Sequence, residues 1–336
     1  MTVALHRLVM SLGAIVAGAI LAALAISSPV RSEAGAWSPQ RNVEFIVPTA
    51  AGSTMDLLAR AIQKIWQETH AVDVPITVEA KSGAGGAVAW TYVSRKTGDG
   101  HFIAISGPTL LSNGLLGTGE LSYRDITPIA QLFTEYTVFA VRADGPIKTG
   151  ADLVGAMGTS STLSIGVAPG FGGSSHVAVL KLAHAANIDA NQLAVVPFRG
   201  ANESIEALLG GHIDVAPATM SAIEPFLSSG KLRAVAIAAP HRLAGPQSNI
   251  PTWKEQGFDV VEGNWRGIVG PQNLGAAELA YWARRVGDLV RTDAWASVLK
   301  QYHWDADYAD SAGSGRFLDE RYEELRATLA NLRVAK

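Results

Sequence analysis

From Asn42 onward the chain alternates short apolar, β-branched runs with stretches of helical periodicity, and that alternation leaves few folds open. Residues 42–48, Asn-Val-Glu-Phe-Ile-Val-Pro, read as a buried strand. A helix follows over 54–67, where Met55, Leu58, Ala59, Ile62, Ile65 and Trp66 obey the i, i+3, i+4, i+7 rule and put one face on a sheet. Residues 76–80 and 101–106 are the next strands, with a second helix opening at Gly83-Ala-Gly-Gly86 between them. Residues 137–143, 162–168, 193–198, 215–220 and 234–239 are further strand candidates separated by helical patterns. The spacing predicts an α/β fold of parallel sheets with helices on both faces. Within it, a Ser221-Ala-Ile-Glu224 capping box and Gly230 as a stop predict a short helix over 223–229, with Pro225 in its first turn.

With 336 residues there is chain for one large or two medium domains. The first 36 read as a targeting segment: His6 and Arg7, an apolar run over 8–26 broken only by Ser11, then Ala34-Gly35-Ala36 as a small-x-small exit. A cleavable secretory signal is the expectation, and with it a periplasmic location. The alternative is an uncleaved anchor, since the run is just long enough to span a bilayer. The 27 basic against 30 acidic residues give a net charge of −3, with no excess to neutralise a phosphate backbone, which argues against nucleic-acid binding. The lack of cysteine excludes a disulfide scaffold, thiolate-bound zinc or iron–sulfur, and a thiol nucleophile.

The pattern that points to function is glycine at the mouths of several strands. Gly52-Ser53-Thr54, Gly83-Ala84-Gly85-Gly86, Gly170-Phe171-Gly172-Gly173-Ser174-Ser175 and Arg199-Gly200-Ala201-Asn202 each stand just before a helix. Such turns expose the unpaired N–H groups of the first helical turn, whose dipole favours negative charge. Several of them at the carboxyl edge of one sheet would form an anion-binding cleft, although any one alone is simply a tight strand–helix turn.

Enzyme motifs fail against this background. Gly170-Phe-Gly-Gly-Ser-Ser175 ends in Ser where the dinucleotide fingerprint needs Gly or Ala, and Asp189 precedes the next strand instead of ending it. No G-x-x-x-x-G-K-[ST], G-x-S-x-G or H-E-x-x-H occurs, so no catalytic residue, cofactor or metal is expected. A Ser174, His176, Asp214 triad is the residual hydrolase reading.

Taken in order, Pro48-x-x-x-Gly52-Ser53-x-x-Asp56-x-x-Ala59-Arg60, Gly83-Ala-Gly-Gly86, Gly98-Asp99-Gly100, Gly170-Phe-Gly-Gly-Ser-Ser-His176, Val196-Pro-Phe-Arg-Gly200, Leu208-Leu-Gly-Gly-His-Ile-Asp214, Gly230-Lys-Leu-Arg233, Pro251-Thr-x-x-Glu255-x-Gly257 and Asn264-Trp-Arg-Gly267 resemble the substrate-binding proteins of tripartite tricarboxylate transporters, the Bug family. The resemblance runs from about Asn42 to the C-terminal helix. It implies a periplasmic binding protein-like α/β fold of two lobes, 37–140 plus 264–336 and 141–263, with a ligand cleft between them and two crossing strands as the hinge. It further implies a monomer that binds a small di- or tricarboxylate and delivers it to a two-subunit membrane permease. An aromatic diacid such as terephthalate as ligand, or a role as a sensor subunit, are the alternatives.

Carried over by position, the resemblance puts the first ligand loop on 49–54, with Ala51, Gly52, Ser53 and Thr54 as ligand candidates, the second on 82–86, with Gly85 and Gly86, and the helix start of the second lobe on Gly172, Gly173 and Ser174. Thr109 and Gly200 join them as candidates. Ser53 stands where the family usually has Gly, and Gly173 where Ser is common. Arg199 and Arg266 are the cations whose guanidinium fork suits a carboxylate, salt bridging being the other reading of each. Asp56 and His176 are expected to be structural, Asp56 as the fourth residue of a capping box. The hinge is expected near 139–142 and 262–265.

Overall fold

In the computed structural model, which describes residues 37–160 and 162–330, β1 (Val43–Val47) is fully apolar except for Glu44 and pairs in parallel with β2 (Ile76–Ala80) on one side and β3 (Phe102–Ser106) on the other. The targeting segment lies outside the described residues. Helix α1 (Thr54–Glu68) makes the crossover from β1, and its periodic apolar residues are all buried. Trp66 at its last turn packs between Phe45 (6.2 Å between rings) and Trp282 (5.7 Å), fixing the helix to the sheet. Helix α2 (Ala87–Ser94) and α3 (Thr109–Leu115) follow β2 and β3, and Trp90 anchors α2 by donating its Nε1–H to Ile105 O at 2.9 Å. Strand β4 (Thr127–Thr134) completes the first excursion through this sheet.

The second sheet begins at once with β5 (Thr137–Arg142) and continues through α4 (Gly150–Thr159), β6 (Ser164–Val167), α5 (Ser174–Ala185), β7 (Ala194–Pro197), α6 (Ala201–Leu209), β8 (Val215–Thr219), α7 (Met220–Ser228) and β9 (Leu232–Ile237). The chain then returns to the first sheet as β10 (Arg266–Gly270), α8 (Ala276–Leu289), α9 (Asp293–Tyr302), β11 (Asp305–Ala309) and α10 (Ser311–Leu329). The strand orders are β11-β4-β10-β3-β1-β2 and β7-β6-β8-β5-β9.

Both sheets are mixed, which corrects the expectation of parallel sheets. In the first, β10 runs antiparallel to β3 and β4, and β11 runs antiparallel to β4. In the second, β5 runs antiparallel to β8 and β9. The reason is the crossing of the chain between sheets: a strand that enters from the neighbouring sheet has no crossover helix to reverse its direction, so it is not bound to run parallel. Strands β4, β10 and β11 escape the sequence reading because β4 carries Pro128 and Gln131, β10 is five residues with two glycines, and β11 reads Asp-Ala-Asp-Tyr-Ala without an apolar run.

The two crossing segments are paired. Tyr136 bridges Gly263 antiparallel, Asn264 N–H donates to Glu135 O at 2.7 Å and Thr137 N–H donates to Glu262 O at 3.3 Å. Helix α5 lies between two cores: Ala178, Val179, Leu182 and Ala183 pack with the second sheet, while Val177 and Leu180 belong to a cluster with Trp265 and with Leu318, Leu325 and Leu329 of α10. Among the described residues no helix is long and apolar enough to cross a membrane.

Candidate functional site

The β1–α1 loop is ordered by its own hydrogen bonds. Gly52, at φ +79° where a side chain would be strained, donates its N–H to Asp56 Oδ2 at 2.9 Å. The Ser53 hydroxyl caps α1 by accepting from Asp56 N–H at 3.3 Å and lies 2.6 Å from Thr49 Oγ1. Asp56 is buried and also takes Arg60 Nε at 2.9 Å. Burial acts to raise its carboxyl, but the bonds from Arg60 and the Gly52 N–H outweigh that and hold it below the usual range. Asp56 is therefore the anion at the start of α1. Ala51 and Gly52 are exposed and Thr54 is half-buried.

The second loop is tied to α3, because Asn113 Nδ2 donates to Ala84 O at 3.2 Å and Gly85 O at 3.3 Å. Gly86 is closed to substitution, since a Cβ there would stand 2.8 Å from the Trp90 ring and 2.9 Å from Pro48. Thr109, the first residue of α3, is buried.

On the second sheet, the turn after β6 approaches the same helix. A Cβ on Gly172, itself at φ +79°, would lie 2.5 Å from Leu116 Cδ1 and 2.8 Å from Ser112. Gly173 is the N-cap of α5 and supplies no side chain, and no acid stands in the first turn. The buried Ser174 hydroxyl makes no hydrogen bond to another described residue. Ser175 Oγ is engaged with Ala168, donating to its carbonyl and accepting from its N–H, both at 2.8 Å.

His176 accepts the Gly172 N–H on Nδ1 at 3.0 Å, its ring edge-on to Phe171. Burial pushes its pKa down from 6.5 to about 4. An imidazole that must stay neutral when folded stabilises the fold fully above its unfolded pKa and loses that contribution as pH falls from 6.5 toward 4. We expect unfolding free energy to drop by about 2–3 kcal/mol between pH 7 and pH 4.5 from this residue, a slope that His176→Asn removes. Urea titrations of both proteins across that range check it, and identical slopes would contradict it.

The two candidate cations differ. The Arg199 side chain is 92% exposed and pairs with Glu203 at 2.7 Å, next to half-buried Gly200, the N-cap of α6. Arg266 is 6% exposed, with Nη1 donating to Asn264 Oδ1 at 2.6 Å and to Trp265 O at 2.8 Å, while its buried Nε has no partner. It lies beneath the β3–α3 turn, 3.1 Å from where a Gly107 Cβ would be. Burial pushes its pKa down to about 10, with the Glu135 charge acting in the opposite sense.

Glu135, which sequence reasoning passed over, comes from the crossing segment and accepts from the N–H (3.1 Å) and the hydroxyl of Ser221 at the start of α7. It replaces the expected capping box: α7 begins at Met220 with Thr219 as N-cap, and Ser221 bonds to Glu135, its hydroxyl also lying 3.3 Å from Thr219 Oγ1. Burial raises the Glu135 carboxyl, and Ser221 and Arg266 pull it back.

Four of the helix starts around the two sheets can be contrasted directly. α1, α6 and α7 each hold a carboxylate of the chain itself, Asp56, Glu203 and Glu135. α5 holds none, and offers open N–H groups and an unengaged hydroxyl. A hydrolase triad is not assembled: Asp214 accepts from the N–H and hydroxyl of Ser164, and His176 faces Gly172. Among the described residues no group of His, Asp and Glu could hold a metal.

Comparison with known proteins finds relatives over most of the chain. The family model for the tripartite tricarboxylate transporter family receptor matches residues 58–332. A protein of the gbd 5′ region of Cupriavidus necator is 26% identical over 324 residues, covering 95% of each chain, and BugT of Bordetella pertussis is 22% identical over 83% of this chain and 84% of its own. A solute-binding protein from Polaromonas shares the fold at TM-score 0.70 with 25% identity, over 88% of this chain and 99% of its own. MatC of Rhodopseudomonas palustris, solved with malate, superposes at TM-score 0.75 with 24% identity over 87% of this chain and 99% of its own. A second R. palustris protein, solved with adipate, gives TM-score 0.76 with 21% identity over 87% and 97%. The two-sheet fold, the glycine-lined turns and the family match over most of its length place this chain in the tripartite tricarboxylate transporter receptor family, as a solute-binding protein and not an enzyme.

Proposed function

We propose that this receptor captures a small di- or tricarboxylate in the periplasm, closing two lobes over it, and hands it to a two-subunit membrane permease while itself monomeric. The lobes are built on the two sheets and turn on the paired crossing segments at Tyr136 and Gly263, a few residues before the 139–142 stretch, which runs inside β5. One carboxylate sits at the start of α5 against the N–H groups of Gly173 and Ser174 and the Ser174 hydroxyl, with Gly172 beside it. Arg266 supplies the positive charge through its unpartnered Nε. Ala51, Gly52, Ser53, Thr54, Gly85, Gly86 and Thr109 line the opposite wall, while Arg199 and Gly200 stand at the rim.

The observation that carries this reading is that α5, unlike α4 with Asp152, α6 with Glu203 and α7 with Glu135, has no acid of the chain at its start, in a molecule that also buries a guanidinium nitrogen without a partner. The malate and adipate named in the related structures are both dicarboxylates, which supports the class.

Thermal unfolding of protein refolded to strip carried-over ligand, against mono-, di-, tri- and aromatic carboxylates and their amides, tests the reading. A ligand at a thousand times its dissociation constant stabilises by about 4 kcal/mol, a shift of several degrees at this size. Di- or tricarboxylates are expected to give that shift and the amides none. A response to the amides, or to no acid in the panel, would overturn it.

A further inference from the structure

Two helix turns from its open N-terminus, α5 carries a lysine in an ionic ring that the carboxylate site does not use. Lys181 Nζ lies 2.6 Å from Glu262 Oε2 and 2.5 Å from Glu324 Oε1, and donates to Val261 O at 2.9 Å. Arg321 completes the ring, reaching Glu262 Oε2 at 3.2 Å and Glu324 Oε2 at 2.5 Å. The four charges alternate in sign, and each acid meets both bases. The members come from three places: Lys181 from a helix of the second sheet, Glu262 from a crossing segment, and Arg321 and Glu324 from α10, which packs on the first sheet.

The ring is also dry where it matters. The side chains of Glu262 and Lys181 are 4% and 15% exposed. Buried ion networks of this kind contribute little net stability against apolar replacements, but they fix geometry, because a member left without its partner inside is costly. Beside the ring a small crevice lined by Pro108, Gly172, Glu262 and Arg321 connects it to the turns that form the candidate site. Residues 174 and 181 are seven apart on one helix and so share a face, the face that also presents Val177 to the α10 cluster.

We infer that Lys181 is a positioning residue for ligand capture: the Lys181, Glu262, Arg321 and Glu324 ring is a latch made when the lobes are closed and parted when they open. In the open form Lys181 and the α10 pair rehydrate separately at the surface, where their mutual attraction is worth little. In the closed form the ring holds α5 at the angle that points its N-terminus into the cleft. The apparent affinity for any ligand is the intrinsic affinity multiplied by the closed fraction, so the latch sets how much of that affinity is realised. This inference rests on the lobe closure argued under the proposed function.

Small-angle scattering of ligand-free protein tests it without any ligand. Lys181→Met and, as the milder change at a half-exposed position, Glu324→Gln are expected to increase the radius of gyration toward that of an open form, and Lys181→Arg to restore it. With a dicarboxylate that shifts the melting temperature of the parent protein, the same two variants are expected to bind about tenfold more weakly through faster dissociation, again recovered by Lys181→Arg. An unchanged radius with a lower melting temperature for both variants would make the ring a static brace and overturn the latch. Absence of binding by the parent protein would count against the proposed ligand class alone, since the scattering comparison stands by itself.

Discussion

Gly172→Val is expected to reduce ligand affinity by about a thousandfold, some 4 kcal/mol, while leaving each sheet folded. Two effects act together. The backbone at φ +79° disfavours a β-branched residue, and a Cβ would enter the space of Leu116 and Ser112 on α3, at 2.5 and 2.8 Å. The contact it violates joins the turn after β6 to a helix of the other sheet, so the molecule relieves it by keeping those elements apart. Calorimetric titration against a responsive dicarboxylate measures the loss, and circular dichroism shows that secondary structure is retained. Affinity equal to the parent protein would mean that this contact is not part of the bound form.

Arg266→Met is expected to cost nearly as much, about a hundredfold to a thousandfold in affinity for a dicarboxylate, in line with the loss of one partner of a buried charge pair. It also leaves Glu135 buried without its compensating charge, so the variant is expected to melt at lower temperature, and Glu135→Gln in the same chain to restore part of the melting temperature but none of the affinity. Arg199→Ala serves as the contrast: its exposed guanidinium faces Glu203, so binding is expected to stay within a factor of two or so. Equal losses for the two arginines, or none for Arg266→Met, would refute the assignment of the cation.

The sequence makes both arginines look alike, each close to a strand and a glycine. What separates them is strand order, which no local pattern reports. β7 is an edge strand, so the turn after it hangs at the margin of the sheet, whereas β10 lies between β4 and β3 and delivers its first residue into the middle of the molecule. The strands with apolar, β-branched runs and the helix on 54–67 were legible because their own side chains dictate them. The glycine turns were legible because positive φ at Gly52, Gly86 and Gly172 admits little else. Glu135 was not legible: it is a single acid between Thr134 and Tyr136, and its partner Ser221 is far along the chain and reads locally as a helix cap. For the same reason the acids already occupying α6 and α7 could not be told from surface charge, and all the glycine turns looked equally open to an anion.

The place of β10 also bears on how the molecule is made. Its five residues fill the gap between β4 and β3, two strands that precede them by well over a hundred positions. While the chain is being delivered amino end first, β3 and β4 have no hydrogen-bonding partner between them until residue 270 has arrived, and each presents a bare edge to anything nearby. The second sheet, contiguous from 137 to 237, has no such wait. Folding order is thereby written into the topology: the middle of the chain matures first, the two ends join last, and a product cut short before Arg266 leaves a split sheet that proteases and chaperones will treat as unfinished.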